Sequence, residues 1–340
     1  MTDAEVRQFV SVQRGRYPAM TAQDLFKALH QSTLGCEHLV HDESAAADFL
    51  RREAAEHPDA PAETEPLCGG AFARVHLGWL RAGLAPETLA RLFALSAEQT
   101  PENGVSALEE MLHALLPEPE GLAAWRAAGY PALHHSAQFR AAYRPAYRVL
   151  CSHYAALLPL FTRLDTLRGE KRDVFLAIDG GSASGKTTLA ALLARVYGCT
   201  VLHMDDFFLR PEQRVPARLA EPGGNVDRER FRDEVLLPLR RGERAAYRRY
   251  DCASGRLCAP ETVSPGGLVV TEGAYALHPA LRDSYDLRVF LHIAPEKQRA
   301  RILRRNPAMA ETFFRVWIPM EQAYFAAFTP EARCDFVFDA

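Results

Sequence analysis

The stretch Asp179-Gly-Gly-Ser-Ala-Ser-Gly-Lys-Thr-Thr188 constrains this chain more than any other. It follows the apolar run Val174-Phe-Leu-Ala-Ile178, so it reads as a strand, a glycine-rich turn and the start of a helix. That order is the context demanded by the pattern G-x-x-x-x-G-K-[ST], with Gly180, Gly185, Lys186 and Thr187 at its fixed places. Gly180 and Gly185 let the backbone curl until successive N–H groups face phosphate oxygens, and the helix from Thr187 adds its positive end. Lys186 supplies a point charge for the β and γ phosphates, and the Thr187 hydroxyl is a hard oxygen ligand suited to Mg²⁺. The candidate nucleotide-binding residues are Gly180, Gly181, Ser182, Ala183, Ser184, Gly185, Lys186, Thr187 and Thr188.

A chain of 340 residues is long for one domain and suggests two. Its net charge of -3 gives no electrostatic case for nucleic acid or an anionic membrane as partner. Met1-Thr-Asp-Ala-Glu-Val-Arg7 is charged without a following apolar core, and no apolar run reaches membrane-spanning length. Seven cysteines at irregular spacing form no disulfide framework, so a reducing cytoplasm is the expected location.

Residues 1–168 read as an all-α domain without a strand pair. Thr21-Ala-Gln-Asp24 opens one helix, and apolar residues recur at helical spacing over 71–80 and 89–95. Clusters of Pro, Gly and Glu at 57–66, 101–104 and 117–121 mark loops. Cys36, His38, His41 and Asp42 are ligand types that zinc accepts, although their spacing matches no zinc signature and surface histidines are the plainer reading. Arg140, Arg144 and Arg148 stand at i, i+4 and i+8, one helical face with Tyr143 and Tyr147 beside it. Such a stripe holds an anionic ligand, docks on the second half or is merely solvated, and Pro145 would kink the helix and re-aim it. The helix is expected to resume from Tyr147 toward Leu167, with a polar joint at 168–173.

Residues 169–340 alternate. Short apolar runs at 174–178, 200–204, 268–271, 287–293 and 335–338 suit doubly covered parallel strands, with helical patterns at 187–197, 228–239, 295–305 and 311–328. Ligands in such a sheet bind at the carboxyl ends of the strands. There the second strand ends in Asp205-Asp206, where a carboxylate can accept a hydroxyl proton or position Mg²⁺ through water. A helix cap is the plainer role for either acid alone. The third strand ends in Glu272-Gly273, a second place for an acid of the metal shell, and Gln298-Arg-Ala-Arg-Ile-Leu-Arg-Arg305 concentrates cations on a helix.

Gly180–Thr188, Asp205-Asp-Phe-Phe208, Asn225-Val-Asp227, Tyr250-Asp251, Glu272-Gly273 and the arginine helix together resemble the uridine kinase and phosphoribulokinase group of P-loop kinases. The resemblance covers roughly 172–340 and implies an α/β P-loop kinase domain, preceded here by the all-α N-terminal domain. It implies ATP and Mg²⁺ as cofactors. The general base falls on Asp205 with Asp206 beside it, the acid for sugar hydroxyls on Asp227, the pocket aromatic on Tyr250, the magnesium-associated acid on Glu272, and lid arginines on Arg301 and Arg304. Uridine kinases carry a histidine a few residues after the Tyr-Asp pair to read the pyrimidine, whereas this chain runs Cys252-Ala-Ser-Gly-Arg256. The lid is also short, breaking at Asn306-Pro307. The resulting expectation is a cytoplasmic kinase that phosphorylates a hydroxyl of a nucleoside or sugar-like metabolite, with no nucleic-acid or membrane partner. The alternative is a nucleotide-gated adaptor.

Overall fold

The computed structural model of the chain describes residues 1–36, 42–99, 101–115 and 119–340. Two compact units, Met1–Thr166 and Leu167–Ala340, divide it, the division falling inside the helix Leu158–Glu170. Among the described residues no helix is long and apolar enough to cross a membrane. His38 and His41 lie outside the described residues.

The N-terminal unit is mainly helical. Its helices Asp3–Arg16 and Ala22–Leu34 begin where the sequence places caps: Thr2 pairs with Glu5, and the Asp24 carboxylate accepts from Thr21 N (3.0 Å) and Thr21 Oγ1 (2.8 Å). Leu25, Phe26 and Leu29 of the second helix pack with Leu108, Leu112 and Trp125 in one core. The unit also contains a small antiparallel sheet that corrects the all-α reading. Its order is β1 (Thr64–Pro66), β2 (Phe72–His76), β3 (Tyr147–Cys151). Every residue of β2 is buried, so its apolar positions follow no alternation and pass for a helical pattern. The arginine stripe is not one helical face. The helix Ala137–Tyr143 ends on Arg144 at φ 43°, and Pro145 blocks its continuation. Tyr147 and Arg148 therefore start β3, paired with His76 and Val75.

The C-terminal unit holds five parallel strands, β4 (Asp173–Gly180), β5 (Thr200–His203), β8 (Gly267–Glu272), β9 (Leu287–His292) and β10 (Phe336–Asp339), in the order β10-β9-β4-β8-β5. All but the first residue of the central β4 are buried, as a strand covered on both faces requires. A hairpin unforeseen in the sequence, β6 (Ala245–Asp251) with β7 (Arg256–Val263), joins the core through Tyr247, which stacks on Phe207 at 5.3 Å. The helical stretches 228–240 and 310–328 each widen into a π turn, Arg232–Leu236 and Phe313–Trp317. Each turn runs into a proline, Pro238 or Pro319, which has no N–H to give and clashes with the regular ladder.

Candidate active site

The phosphate loop hangs between β4 and the helix Lys186–Tyr197. Gly180 has φ 141°, and a Cβ there would stand 2.3 Å from the Leu291 carbonyl oxygen of β9, so no other residue fits. Gly185 caps the helix at φ 97°. The first helical bond runs from Leu189 N to Gly185 O, which leaves the amides of Lys186, Thr187 and Thr188 with no helix carbonyl to donate to. The Ser184 hydroxyl is buried without a hydrogen-bond partner. Unspent donors around a glycine-framed turn fit an anion of phosphate size. Lys186 Nζ is folded onto the loop, donating to the Gly180 and Gly181 carbonyls at 2.9 Å each.

Parallel pairing then brings the acids in. Glu272, at the end of β8, sits in register with Ile178 of β4 and His203 of β5, so it stands beside the loop. Its Oε1 accepts from Thr187 Oγ1 at 3.2 Å and from His203 Nδ1 at 2.6 Å. The hydrogen bond to Glu272 raises the His203 pKa. A hydroxyl and a carboxylate oxygen together are the hard donors that Mg²⁺ takes while keeping most of its waters, so Thr187 and Glu272 fit that ion. Asp205 and Asp206 follow β5 in the 3-10 turn Met204–Phe207. Asp205 stands at the rim. Desolvation raises its pKa, the charge of Lys186 opposes the rise, and Glu272 adds to it. Asp206 is also raised, by burial first, and its neighbours are His203 and Arg249 rather than Lys186.

Asp227 and Tyr250 are bonded by two consecutive residues, Gln213 and Arg214. Asp227 caps the helical turn Arg228–Phe231 through Arg230 N (3.2 Å) and accepts from Gln213 Nε2 at 2.8 Å. Arg214 donates to the Tyr250 hydroxyl at 3.2 Å and lies over its ring at 5.7 Å. On the other side of the loop, Arg301 donates to the Ala183 carbonyl at 3.0 Å. Arg304 is exposed and makes no such contact among the described residues.

Three contributors escape a sequence reading. Asp179 is fully buried and accepts from Gly180 N, Tyr275 N, Leu277 N and the Tyr324 hydroxyl, which ties the loop to the segment after β8. Glu321, on the helix Ile318–Phe328, is buried against the loop and accepts from Ser182 N (2.9 Å) and Ser182 Oγ (2.6 Å). Desolvation raises its pKa, against the charge of Lys186 and the Ser182 hydrogen bonds. Gln298 Nε2 donates to the Ser182 carbonyl at 2.9 Å. Gln298 and Glu321 also border a cavity of about 510 Å³ walled by Phe290, Ile293, Ile318 and Phe325. The sequence offered a signal only for Asp179, an acid inside the motif itself.

No family model matches the chain. Among solved structures it is similar to a possible uridine kinase from Bacillus stearothermophilus, at 25% identity over 53% of this chain and 100% of that one, with a TM-score of 0.39. It is also similar to a putative fructose transport system kinase from Silicibacter sp. TM1040, at 24% identity over 49% of this chain and 90% of that one, TM-score 0.38. A D-glycerate 3-kinase from Cryptococcus neoformans is 16% identical over 50% of this chain and 87% of its own, TM-score 0.37. With its five parallel strands, the glycine loop after the central one, Glu272 at the end of the adjacent β8 and Asp205 after β5, the C-terminal unit has a P-loop fold, and it resembles the uridine kinase-like P-loop kinases.

Proposed function

We propose that the chain is an ATP- and Mg²⁺-dependent kinase that transfers the γ-phosphoryl group to a hydroxyl of a small metabolite, a nucleoside or a sugar-like molecule. The observation that carries this reading is the convergence on one sheet edge of the phosphate loop, the Thr187–Glu272 pair and Asp205. A nucleotide-gated adaptor needs the first two and has no use for a rim carboxylate in the field of Lys186.

In this account the loop amides and Lys186 hold the phosphates, with Lys186 exchanging the Gly180 and Gly181 carbonyls for phosphate oxygens. Thr187 and Glu272 would hold Mg²⁺, which neutralises phosphate charge when bound. The cavity beside Gln298 and Glu321, with its apolar walls, suits the flat face of a nucleotide base. Asp205 accepts the proton of the acceptor hydroxyl and orients its oxygen. Its raised pKa makes it a better proton acceptor than an ordinary surface aspartate. Asp227, Tyr250 and Arg214 line the acceptor side, and Arg301 supports the loop from the far side. Without the histidine that reads a pyrimidine, the acceptor is set by the groups on Tyr250 and Asp227 rather than by a base.

The test is ADP release from ATP and Mg²⁺ in the presence of a panel of nucleosides, sugars and sugar-like alcohols. Stimulation by one member of the panel supports a kinase. A slow ADP release that no member changes, in a protein that binds ATP, favours the adaptor.

A further inference from the structure

The N-terminal unit contains a cavity of about 610 Å³ for which the kinase reading has no use. One wall comes from the helix Ala22–Leu34 and the segment 132–140, and it presents Lys27, His30, His134, His135 and Arg140. The opposite wall, from the helices Glu43–Glu56 and Pro86–Ala97, is largely apolar, with Phe49, Leu50 and Phe93. Phe49 is 53% exposed, an unusual state for a phenylalanine inside a concave wall.

The cations on this wall are unequally balanced. Arg148 is paired with Glu53 at 2.5 Å. Among the described residues Lys27 Nζ donates to the Leu133 carbonyl, at 2.6 Å, and neither it nor Arg140 makes an ion pair. Asp24 is the carboxylate whose charge Lys27 feels, but it is fully buried and its oxygens are taken by Thr21, His135 and Ser136. Burial and the charge of Arg74 push the Lys27 ammonium down to about 8, as befits a cation short of a counter-charge.

Beneath the cavity a continuous polar chain fixes its floor. Asp24 Oδ1 accepts from His135 Nδ1 (2.9 Å), His135 Nε2 meets the Tyr147 hydroxyl (2.6 Å), and Gln31 links Tyr147 to Arg74, which is 1% exposed and paired with Glu65. Buried ionic groups contribute little net stability compared with an apolar core, so a network this long is better explained by what it holds in place. It locks the side chains of Gln31, His135 and Tyr147, all of which line the cavity.

We propose that this cavity is a second small-molecule site, which takes a small organic anion with its carboxylate or phosphate group at Lys27 and Arg140 and its apolar part on Phe49 and Phe93. The full chain carrying Lys186→Ala, which disables the phosphate loop, is titrated calorimetrically with phenyl phosphate, phenylacetate, inorganic phosphate and benzyl alcohol. The two organic anions separate a phosphate site from a carboxylate site. One of them binds, benzyl alcohol and inorganic phosphate bind more weakly, and Arg140→Gln lowers the affinity about tenfold, the loss of one charge-assisted hydrogen bond. Arg140 is exposed, so this variant folds. Lys27→Met lowers the affinity similarly. Binding of no probe, equal binding of benzyl alcohol, or anion binding unchanged in both variants overturns the proposal.

Discussion

At the scale of single residues, two charges carry the proposed reaction. Lys186 is half-buried, and its ammonium donates to the loop carbonyls of Gly180 and Gly181 rather than to the core, so Lys186→Ala leaves the fold intact while it weakens ATP binding and abolishes turnover. A melting curve and an ATP titration of the same sample check both halves of that statement. Asp205 is different because, in the proposed reaction, its contact with the acceptor strengthens as the hydroxyl loses its proton. Asp205→Asn keeps the shape and loses the basic oxygen pair, so kcat falls by about 10²-fold to 10⁴-fold, roughly 3 to 5 kcal/mol, with ATP affinity little changed. Asp206→Asn does less, because Asp206 faces His203 and Arg249 rather than Lys186. The reverse ranking of the two variants assigns the base to Asp206. Since partial desolvation at the rim raises the Asp205 pKa, the acid limb of the kcat profile lies above the ordinary aspartate range and disappears in Asp205→Asn.

At the scale of elements, the structure turns on contacts between pieces far apart in the chain. Gly180 packs on the backbone of β9 at a φ open only to glycine, so Gly180→Ala forces β4 and β9 apart and costs several kcal/mol, seen as a lowered Tm. In the N-terminal unit, His135 joins the helix Ala22–Leu34 to β3 through Asp24 and Tyr147. Desolvation pushes its pKa down from 6.5 to about 4. The unfolded chain therefore takes up a proton below pH 6.5 that the folded unit refuses until pH 4, and stability is lost as pH falls through that window. The loss reaches about 3 kcal/mol near pH 4. Asp24, held at about 2 by the hydrogen bonds of Ser136 and Thr21 against its burial, stays ionised throughout the window. Denaturant melts of wild type and His135→Asn at pH 7 and pH 5 check this: the variant has the shallower pH dependence. His278, also pushed to about 4 by burial, leaves a remaining slope in both.

The same scale explains what the sequence made legible. The five parallel strands and the loop were readable because each is a local apolar run followed by its own turn chemistry. β2 was not, because a strand buried on both faces loses its alternation, nor was β3, whose arginines kept helical spacing across a proline. The β6–β7 hairpin hid behind Arg248 and Arg249 and a Cys-Ala-Ser-Gly turn. Thr187 and Glu272 could be named from the family motifs and meet in the structure, whereas Glu321 bonds Ser182 from 139 residues away and no local pattern announces such a contact.

For the whole molecule, two units with separate cores carry two sets of chemistry, a phosphate loop with its acids in one and a cationic cavity over a buried polar chain in the other. The central claim concerns the first, that the chain moves a phosphoryl group to an acceptor rather than using ATP as a switch. The direct measurement is a single turnover with ATP labelled at the γ-phosphate and the acceptor that best stimulates ADP release, followed by recovery of the label. The account predicts that the label appears on the acceptor in step with ADP, and that Asp205→Asn slows its appearance at least about 10²-fold while ATP stays bound. Label recovered only as inorganic phosphate, or appearing equally fast in Asp205→Asn, contradicts it.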